Sequence, residues 1–174
     1  MGRAFTIREV RKRDRDDLIS NFFSYYEELK RNPKLGLGLL PKKPSIKQEH
    51  EWFKNMMKLV KRGDEVSSVA IVDGKAVALC NIKRSSMAVS QHVGSLGIAI
   101  RDGYRREGIG KALMKDVLAR SKNKFEIITL EVFESNKHAI ELYKKFGFKE
   151  FGKLPNGIKR NGKYTDAVFM SLKL

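Results

Sequence analysis

The stretch from Val93 to Ser121 constrains this chain more than any other, because three local signals follow one another without a gap. From Val93 to Ile100, the apolar residues Leu96, Ile98 and Ile100 fall at alternate positions, the period of a strand with one buried face. A polar turn, Arg101-Asp102-Gly103-Tyr104, ends that strand. The segment Arg105-Arg106-Glu107-Gly108-Ile109-Gly110-Lys111-Ala112 then opens a run with Ile109, Leu113, Val117 and Leu118 at helical spacing, which predicts a helix over 108–121. The first amides of a helix have no intrahelical acceptor and sit at the positive end of its dipole. Glycines let an anion approach that backbone closely, and neighbouring arginine and lysine add counter-charge. The order strand, glycine turn, helix therefore reads as an anion site for a nucleotide-like ligand. It is not a dinucleotide fingerprint, since Leu113 stands where G-x-G-x-x-G/A needs its last small residue. It is not a Walker loop either, because Ala112 follows Gly110-Lys111 in place of serine or threonine.

Elsewhere the pattern alternates between the two periods. Residues 4–10 read as a strand, and 14–30 as a helix with Leu18, Phe22, Tyr25, Tyr26 and Leu29 inward, stopped by Asn32-Pro33. Residues 35–44 are apolar yet broken by glycine and proline. They read either as a lid over a substrate pocket or as a loop packed on the core. Ser45 with Gln48 three positions on is a capping box, opening a helix that ends near Gly63 with Trp52, Phe53, Met56, Met57 and Val60 as its core stripe. Strands over 67–72 and 76–82 flank Asp73-Gly74, a hairpin signal. A strand over 126–133, a helix over 136–146, a turn at Asn161-Gly162 and a closing strand over 167–172 complete the chain. The expected fold is a single α/β domain over all 174 residues, with a mixed sheet flanked by helices.

The formal net charge of +16 points to an acidic partner: nucleic acid, ribosome, anionic membrane or a polyanionic cofactor. Cys80 is the single cysteine, so no intrachain disulfide forms. It lies in an apolar run and reads as a core thiol, which fits a reducing, cytoplasmic setting. His50, His92 and His138 lack metal-ligand spacing, so no metal site is expected. No apolar run is long enough for a transmembrane helix, and no secretory signal is expected.

A second constellation lies at 130–148, LEVFESNKHAIELYKKFGF. It reads as a strand, a cap at Ser135-Asn136, a short helix and a stop at Gly147. Ala139, Leu142, Tyr143 and Phe146 share one helix side, so Tyr143 faces inward. Arg105, Gly108 and Gly110 together resemble the (Q/R)-x-x-G-x-(G/A) acetyl-CoA motif of the GNAT superfamily of N-acetyltransferases. Asn136, Ala139, Leu142, Tyr143, Gly147 and Phe148 are similar to the family's second signature, N-x-x-A-x-x-L-Y-x-x-x-G-F. In pattern the chain is closest to bacterial and archaeal small-amine and ribosomal-protein-type members.

The resemblance implies a central, mostly antiparallel twisted sheet flanked by helices, with splayed strands at the coenzyme. It implies acetyl-CoA as acetyl donor and no metal. The backbone amides from about Arg106 to Lys111 would hold the pyrophosphate, within a cofactor-binding stretch of Arg105, Arg106, Glu107, Gly108, Ile109, Gly110, Lys111 and Ala112. Ile98, Ala99 and Ile100 would bond the pantetheine arm, with Asn136 beside it. Tyr143 would protonate the departing thiolate, with an ordinary pKa of about 10 close to that of a thiol. Many members carry a glutamate on the strand before the loop, but Gly94-Ser95-Leu96-Gly97 has none. Glu131 is the local candidate for the base, and water relayed by backbone carbonyls is the alternative. The acceptor is a small amine, amino-acid analogue or polyamine, for which Glu27, Glu28 and Glu131 are candidate pocket acids, or else a protein N-terminus or lysine. The basic surface would allow weak ribosome or nucleic-acid association, and the assembly is a monomer or homodimer. The competing function is a basic nucleic-acid- or ribosome-binding module on the same fold without catalysis.

Overall fold

A computed structural model describes residues 3–32, 35–39 and 42–174 of the chain. Seven strands form one sheet: β1 (Thr6–Glu9), β2 (Glu65–Val72), β3 (Lys75–Arg84), β4 (Val93–Ile100), β5 (Ile127–Phe133), β6 (Lys149–Arg160) and β7 (Lys163–Lys173). Their spatial order is β1-β2-β3-β4-β5-β7-β6. Every neighbouring pair is antiparallel except β4 with β5. The helices are α1 (Arg15–Arg31), α2 (Ile46–Arg62), α3 (Ile109–Ser121) and α4 (Lys137–Lys145). The mixed, mostly antiparallel sheet with flanking helices is the predicted architecture.

Alternation along the strands sorts the core into two layers. On one face, Ile109, Leu113, Met114 and Val117 of α3 and Ile140 and Tyr143 of α4 pack on Val66, Ala70, Ala78, Cys80, Ile82 and Leu96. On the other, Leu18 of α1 and Phe53 and Met56 of α2 pack on Val10, Val69 and Ala76. With both faces covered, β2 is buried from Glu65 through Ala70.

Local chemistry explains most boundaries. Ser45 Oγ accepts from the Gln48 amide at 3.3 Å, and Gln48 Oε1 accepts from the Ser45 amide at 2.8 Å, the reciprocal cap of α2. Gly63 closes that helix at φ 79°, where a Cβ is disfavoured. Asp73-Gly74 and Asn161-Gly162 each take positive φ at both residues, the geometry of a two-residue hairpin turn.

Three expectations need revision or fall outside view. The inward face of α1 carries Leu18 and Tyr25 as predicted, but also Ile19, Asn21 and Glu28, while Phe22, Tyr26 and Leu29 are only half-buried. The helix turns that way because two polar side chains have buried partners. Asn21 Nδ2 donates to the Ala76 carbonyl at 2.7 Å, beside the irregularity where β2 and β3 shift register. Strand β6 was not predicted. Almost all its residues are exposed, Gly152, Pro155 and Gly157 interrupt it, and its pairing with β7 breaks twice. An edge strand of that kind carries no alternating apolar signal. Of the 35–44 loop, Leu40 and Pro41 lie outside the described residues, as does Pro33. Leu35 is buried, and Arg160 donates to the Leu35 and Leu37 carbonyls, so this part of the loop is pinned down on the protein.

Removing the Asn21 amide leaves the Ala76 carbonyl without its donor. Asn21→Ala is expected to cost about 1–3 kcal/mol, read as a lower urea midpoint with an unchanged m-value.

Candidate active site

The sheet divides at its centre. Strands β4 and β5 pair only at Val93↔Ile127, Gly94↔Ile128 and Ser95↔Thr129. Beyond that point β4 stays paired with β3 as far as Ile100, and β5 stays paired with β7 as far as Phe133. The facing edges, Leu96 to Ile100 and Leu130 to Phe133, therefore open into a fork. Unpaired main-chain groups inside a sheet call for another partner. An extended ligand with amide groups of its own is one chemistry that fits such an edge. Gly94 allows the closed end: a Cβ there would lie 2.5 Å from Ile82 Cγ2 and 3.2 Å from Ile128 Cδ1 and Phe125 Cδ1.

The predicted anion loop follows β4 directly. Arg106 (φ 66°) and Gly108 (φ 85°) both occupy the left-handed region, and Gly108 caps α3 without a side-chain bond. Arginine at such an angle is strained, as residues at ligand-binding turns often are. Among the described residues, the amides of Arg106 through Lys111 meet no main-chain acceptor, whereas the Ala112 amide is taken by the Gly108 carbonyl at 3.1 Å. Six free N–H groups thus gather at the α3 N-terminus, and Ala112 is not one of them. Ile109 contributes its amide only, because its side chain is fully buried. At Gly110 a Cβ would stand 3.3 Å from Ile100 Cδ1 and 3.4 Å from Leu142 Cδ2, so the loop rests closely on β4 and α4.

The charged loop residues divide their work. Arg105 donates from Nε to the Ile100 carbonyl at 3.0 Å, and its Nη1 and Nη2 grip the Glu28 carboxylate, the second at 2.7 Å. Its guanidinium is thus committed to α1 and the end of β4, and it shapes the loop from behind. Arg106 is exposed, with Nη2 3.2 Å from His138 Nε2 on α4, and Lys111 is exposed too. Glu107 turns inward: one carboxylate oxygen is buried without a partner among the described residues, and the other lies 3.9 Å from Arg3.

Tyr143 packs against Phe148 with ring centroids 5.9 Å apart and belongs to the α3/α4 layer. Burial pushes its phenol above the usual tyrosine range, and the nearby Cys80 thiol adds to this. Cys80 itself is fully buried, and burial raises its thiol likewise, so it is the core residue predicted. Asn136 caps α4, its Oδ1 accepting from the Ala139 amide at 3.2 Å, while its Nδ2 reaches the Gly36 carbonyl at 3.4 Å. Leu130 and Val132 point into the same layer as Tyr143, so Glu131 lies on the opposite face, exposed. The fork separates the two groups. Glu27 sits on the surface, paired to Lys30 at 2.8 Å, and Glu28 is consumed by Arg105, so neither is placed as a pocket acid.

Sequence reasoning missed a cluster at the closed end of the fork. A cleft of about 480 Å³ there is lined by Asn81, Lys83, Ser95, Gly97 and Thr129 among others. Behind it Glu65 is buried, its Oε1 accepting from Ser67 Oγ at 2.8 Å and Asn81 Nδ2 at 2.9 Å. Burial pushes the Glu65 carboxyl up, and those two bonds and Lys83 pull the other way. A lone glutamate at the head of an apolar strand belongs to no motif, so only cross-strand register reveals the cluster. No group of three histidine, cysteine, aspartate or glutamate side chains is placed to hold a metal among the described residues.

Because Glu28 is almost wholly buried, Glu28→Gln strands part of the Arg105 charge. A loss of about 1–3 kcal/mol in unfolding free energy is expected, with a weaker rise in melting temperature on adding acetyl-CoA than the unaltered chain shows. Equal acetyl-CoA stabilisation of both proteins would show that the brace does not shape the loop.

The acetyltransferase (GNAT) family model matches residues 24–148, which include the fork, the loop and α4. An L-amino acid N-acetyltransferase of Escherichia coli (strain K12) is 31% identical over 125 residues, covering 71% of this chain and 75% of that protein. An N-alpha-acetyltransferase of Sulfurisphaera tokodaii is 42% identical over 94 residues, 47% of this chain and 55% of its relative. The crystal structure of a GNAT-family acetyltransferase from Streptococcus pneumoniae superposes with a TM-score of 0.82 at 23% identity, covering 98% of this chain and 99% of the other. The chain with this forked sheet and open amide loop belongs to the GNAT family and is an acetyl-CoA-dependent N-acetyltransferase.

Proposed function

We propose that the chain passes the acetyl group of acetyl-CoA directly to a primary amine in a ternary complex, without a covalent enzyme intermediate. The observation that carries this reading is the fork, which ends at Ser95 and Thr129, with free loop amides at its mouth and Tyr143 in the layer on one side. The amides of Arg106 to Lys111 hold the pyrophosphate, with Arg106 and Lys111 as counter-charge. The open edge over Ile98, Ala99 and Ile100 bonds the pantetheine arm, and an N–H of that edge receives the oxyanion forming on the thioester. Asn136 Nδ2 contacts the arm by leaving its long bond to Gly36.

Tyr143 supplies the proton that the departing sulfur needs. As the N–C bond forms, the C–S bond breaks, its electron pair goes to sulfur, and the phenolic proton follows. The raised phenol keeps that proton through the neutral range. From the opposite face Glu131 accepts the proton lost by the amine, directly or through one water; water relayed by backbone carbonyls is the other route. The acceptor is a small amine, amino-acid analogue or polyamine, or a protein N-terminus or lysine. The E. coli relative acts on L-amino acids by name, which supports the first kind, and the S. tokodaii relative, an N-alpha-acetyltransferase, the second.

A cleft of about 470 Å³ between the start of α1 and α2, where Lys12, Arg15, Lys54, Lys58 and Lys61 outnumber the single acid Glu51 around Phe53 and Met57, supports weak association with ribosome or nucleic acid. Filter binding that tightens as salt falls is the expected mark of it, and salt-independent binding would remove it.

Three substitutions test the chemistry. Gly110→Asp places bulk and negative charge at the pyrophosphate and is expected to weaken acetyl-CoA binding at least about a hundredfold, some 2.7 kcal/mol by titration calorimetry. An unaltered affinity would remove the loop assignment. Tyr143→Phe is expected to lower kcat about a hundredfold with little change in acetyl-CoA affinity, the usual contribution of a general acid. In the same assay an undiminished kcat for Glu131→Gln would assign the base to water.

A further inference from the structure

At the closed end of the fork, Asn81 has one amide group tied and the other free. Its Nδ2 donates to Glu65 at 2.9 Å. A carboxylate can only accept, so this bond fixes which way the amide faces. Its Oδ1 is thereby turned toward β4, 3.0 Å from where a Cβ on Gly97 would stand. Only glycine at 97 leaves that oxygen its present place. Gly97 lies two residues past the last β4–β5 pair, where the fork has just opened. Asn81 Oδ1 accepts no hydrogen bond from the described residues, although Asn81 lines the cleft there.

The face matters as much as the distance. Asn81, Lys83, Gly97 and Thr129 lie on the sheet face opposite Tyr143, as strand alternation and the register Asn81↔Gly97 require. An amine attacking from that face would reach the fork opposite the leaving sulfur. Lys83 lines the same cleft two residues along β3, about 7 Å from Asn81, and makes no ion pair among the described residues. An acceptor with a second ammonium would meet that cation. An acceptor with a carboxylate or carbonyl next to its amine would satisfy it.

We propose that Asn81 is the side chain that receives the N–H of the acceptor amine, that Glu65 is a positioning residue holding its Oδ1 outward, and that Lys83 favours acceptors bearing a carboxylate or carbonyl beside the amine over polyamines. This rests on the acetyl-transfer reading above. Glu65 holds the acceptor-facing oxygen through Asn81, while its charge also faces Lys83, its cross-strand partner. Glutamine at 65 can both donate and accept, so it no longer dictates which end of the Asn81 amide faces the cleft.

Initial rates with radiolabelled acetyl-CoA on L-phenylalanine, an alanine-initiated hexapeptide and spermidine test it, alongside acetyl-CoA affinity by calorimetry as the measure of an intact fold. The amino acid or the peptide is expected to exceed spermidine, and Lys83→Glu to narrow or reverse that order. Asn81→Leu is expected to raise KM for the better acceptor at least about tenfold, with acetyl-CoA affinity unchanged, and Glu65→Gln to raise it several-fold. Adding Glu65→Gln to Asn81→Leu is expected to change KM no further, a non-additivity that a merely structural glutamate would not produce. Unchanged KM in both single variants, or fully additive effects, would overturn the roles of Asn81 and Glu65. Spermidine as the best acceptor would overturn that of Lys83. Should the unaltered protein acetylate none of the three while binding acetyl-CoA, the acceptor reading beneath this inference falls with it.

Discussion

The parting of β4 from β5 after three paired residues is the constraint to which every other functional feature answers. Each strand retains a full antiparallel partner on its other side, β3 for one and β7 for the other, so the sheet can open at its centre without unravelling. The closed end is held by close contact at Gly94, where a side chain would collide with Ile82. One face of the fork is underlain by α3 and α4, which bring the loop amides and Tyr143 to it. The other face has the cleft with Asn81 and Thr129 at its closed end. The two faces thus offer separate approaches to one line of backbone.

Buried charge in this protein works mainly as a fastener between separate elements. Arg105 on the loop binds Glu28 on α1 and the last carbonyl of β4. Arg8 on β1 grips Asp14 ahead of α1 with bonds of 2.7 and 2.6 Å. Glu65 on β2 ties Asn81 on β3. Such groups give up hydration to be buried, and what they return is definite placement more than net stability. The surplus that makes the chain strongly basic is left on the surface, with one concentration along the outer side of α2.

Much of this was legible in advance. The glycine turn before α3, the capping box of α2, the Asp73-Gly74 and Asn161-Gly162 turns and the strand over 93–100 are local signals. Each is decided by a few neighbouring residues, so sequence suffices. Arg105 shows the limit. Its place in the motif marks it as a ligand group, yet its partner is Glu28, 77 residues away, and nothing along the chain announces that pairing. Strand β6 shows another limit, since an exposed and interrupted edge strand is recognised only by the neighbour it pairs with.

What the sequence by itself determined is a pair of local motifs. The anion loop and the Asn136–Tyr143 signature each fit within about twenty consecutive residues, so backbone conformation and side-chain spacing there are set locally. What only the tertiary structure decided is the grouping of side chains at the closed end of the fork. Glu65, Asn81, Lys83, Gly97 and Thr129 come from four strands, and they meet because cross-strand register and alternation put them on one face at the point where the fork closes. Register is a property of the assembled sheet, and a slip of one residue would send each of these side chains to the other face.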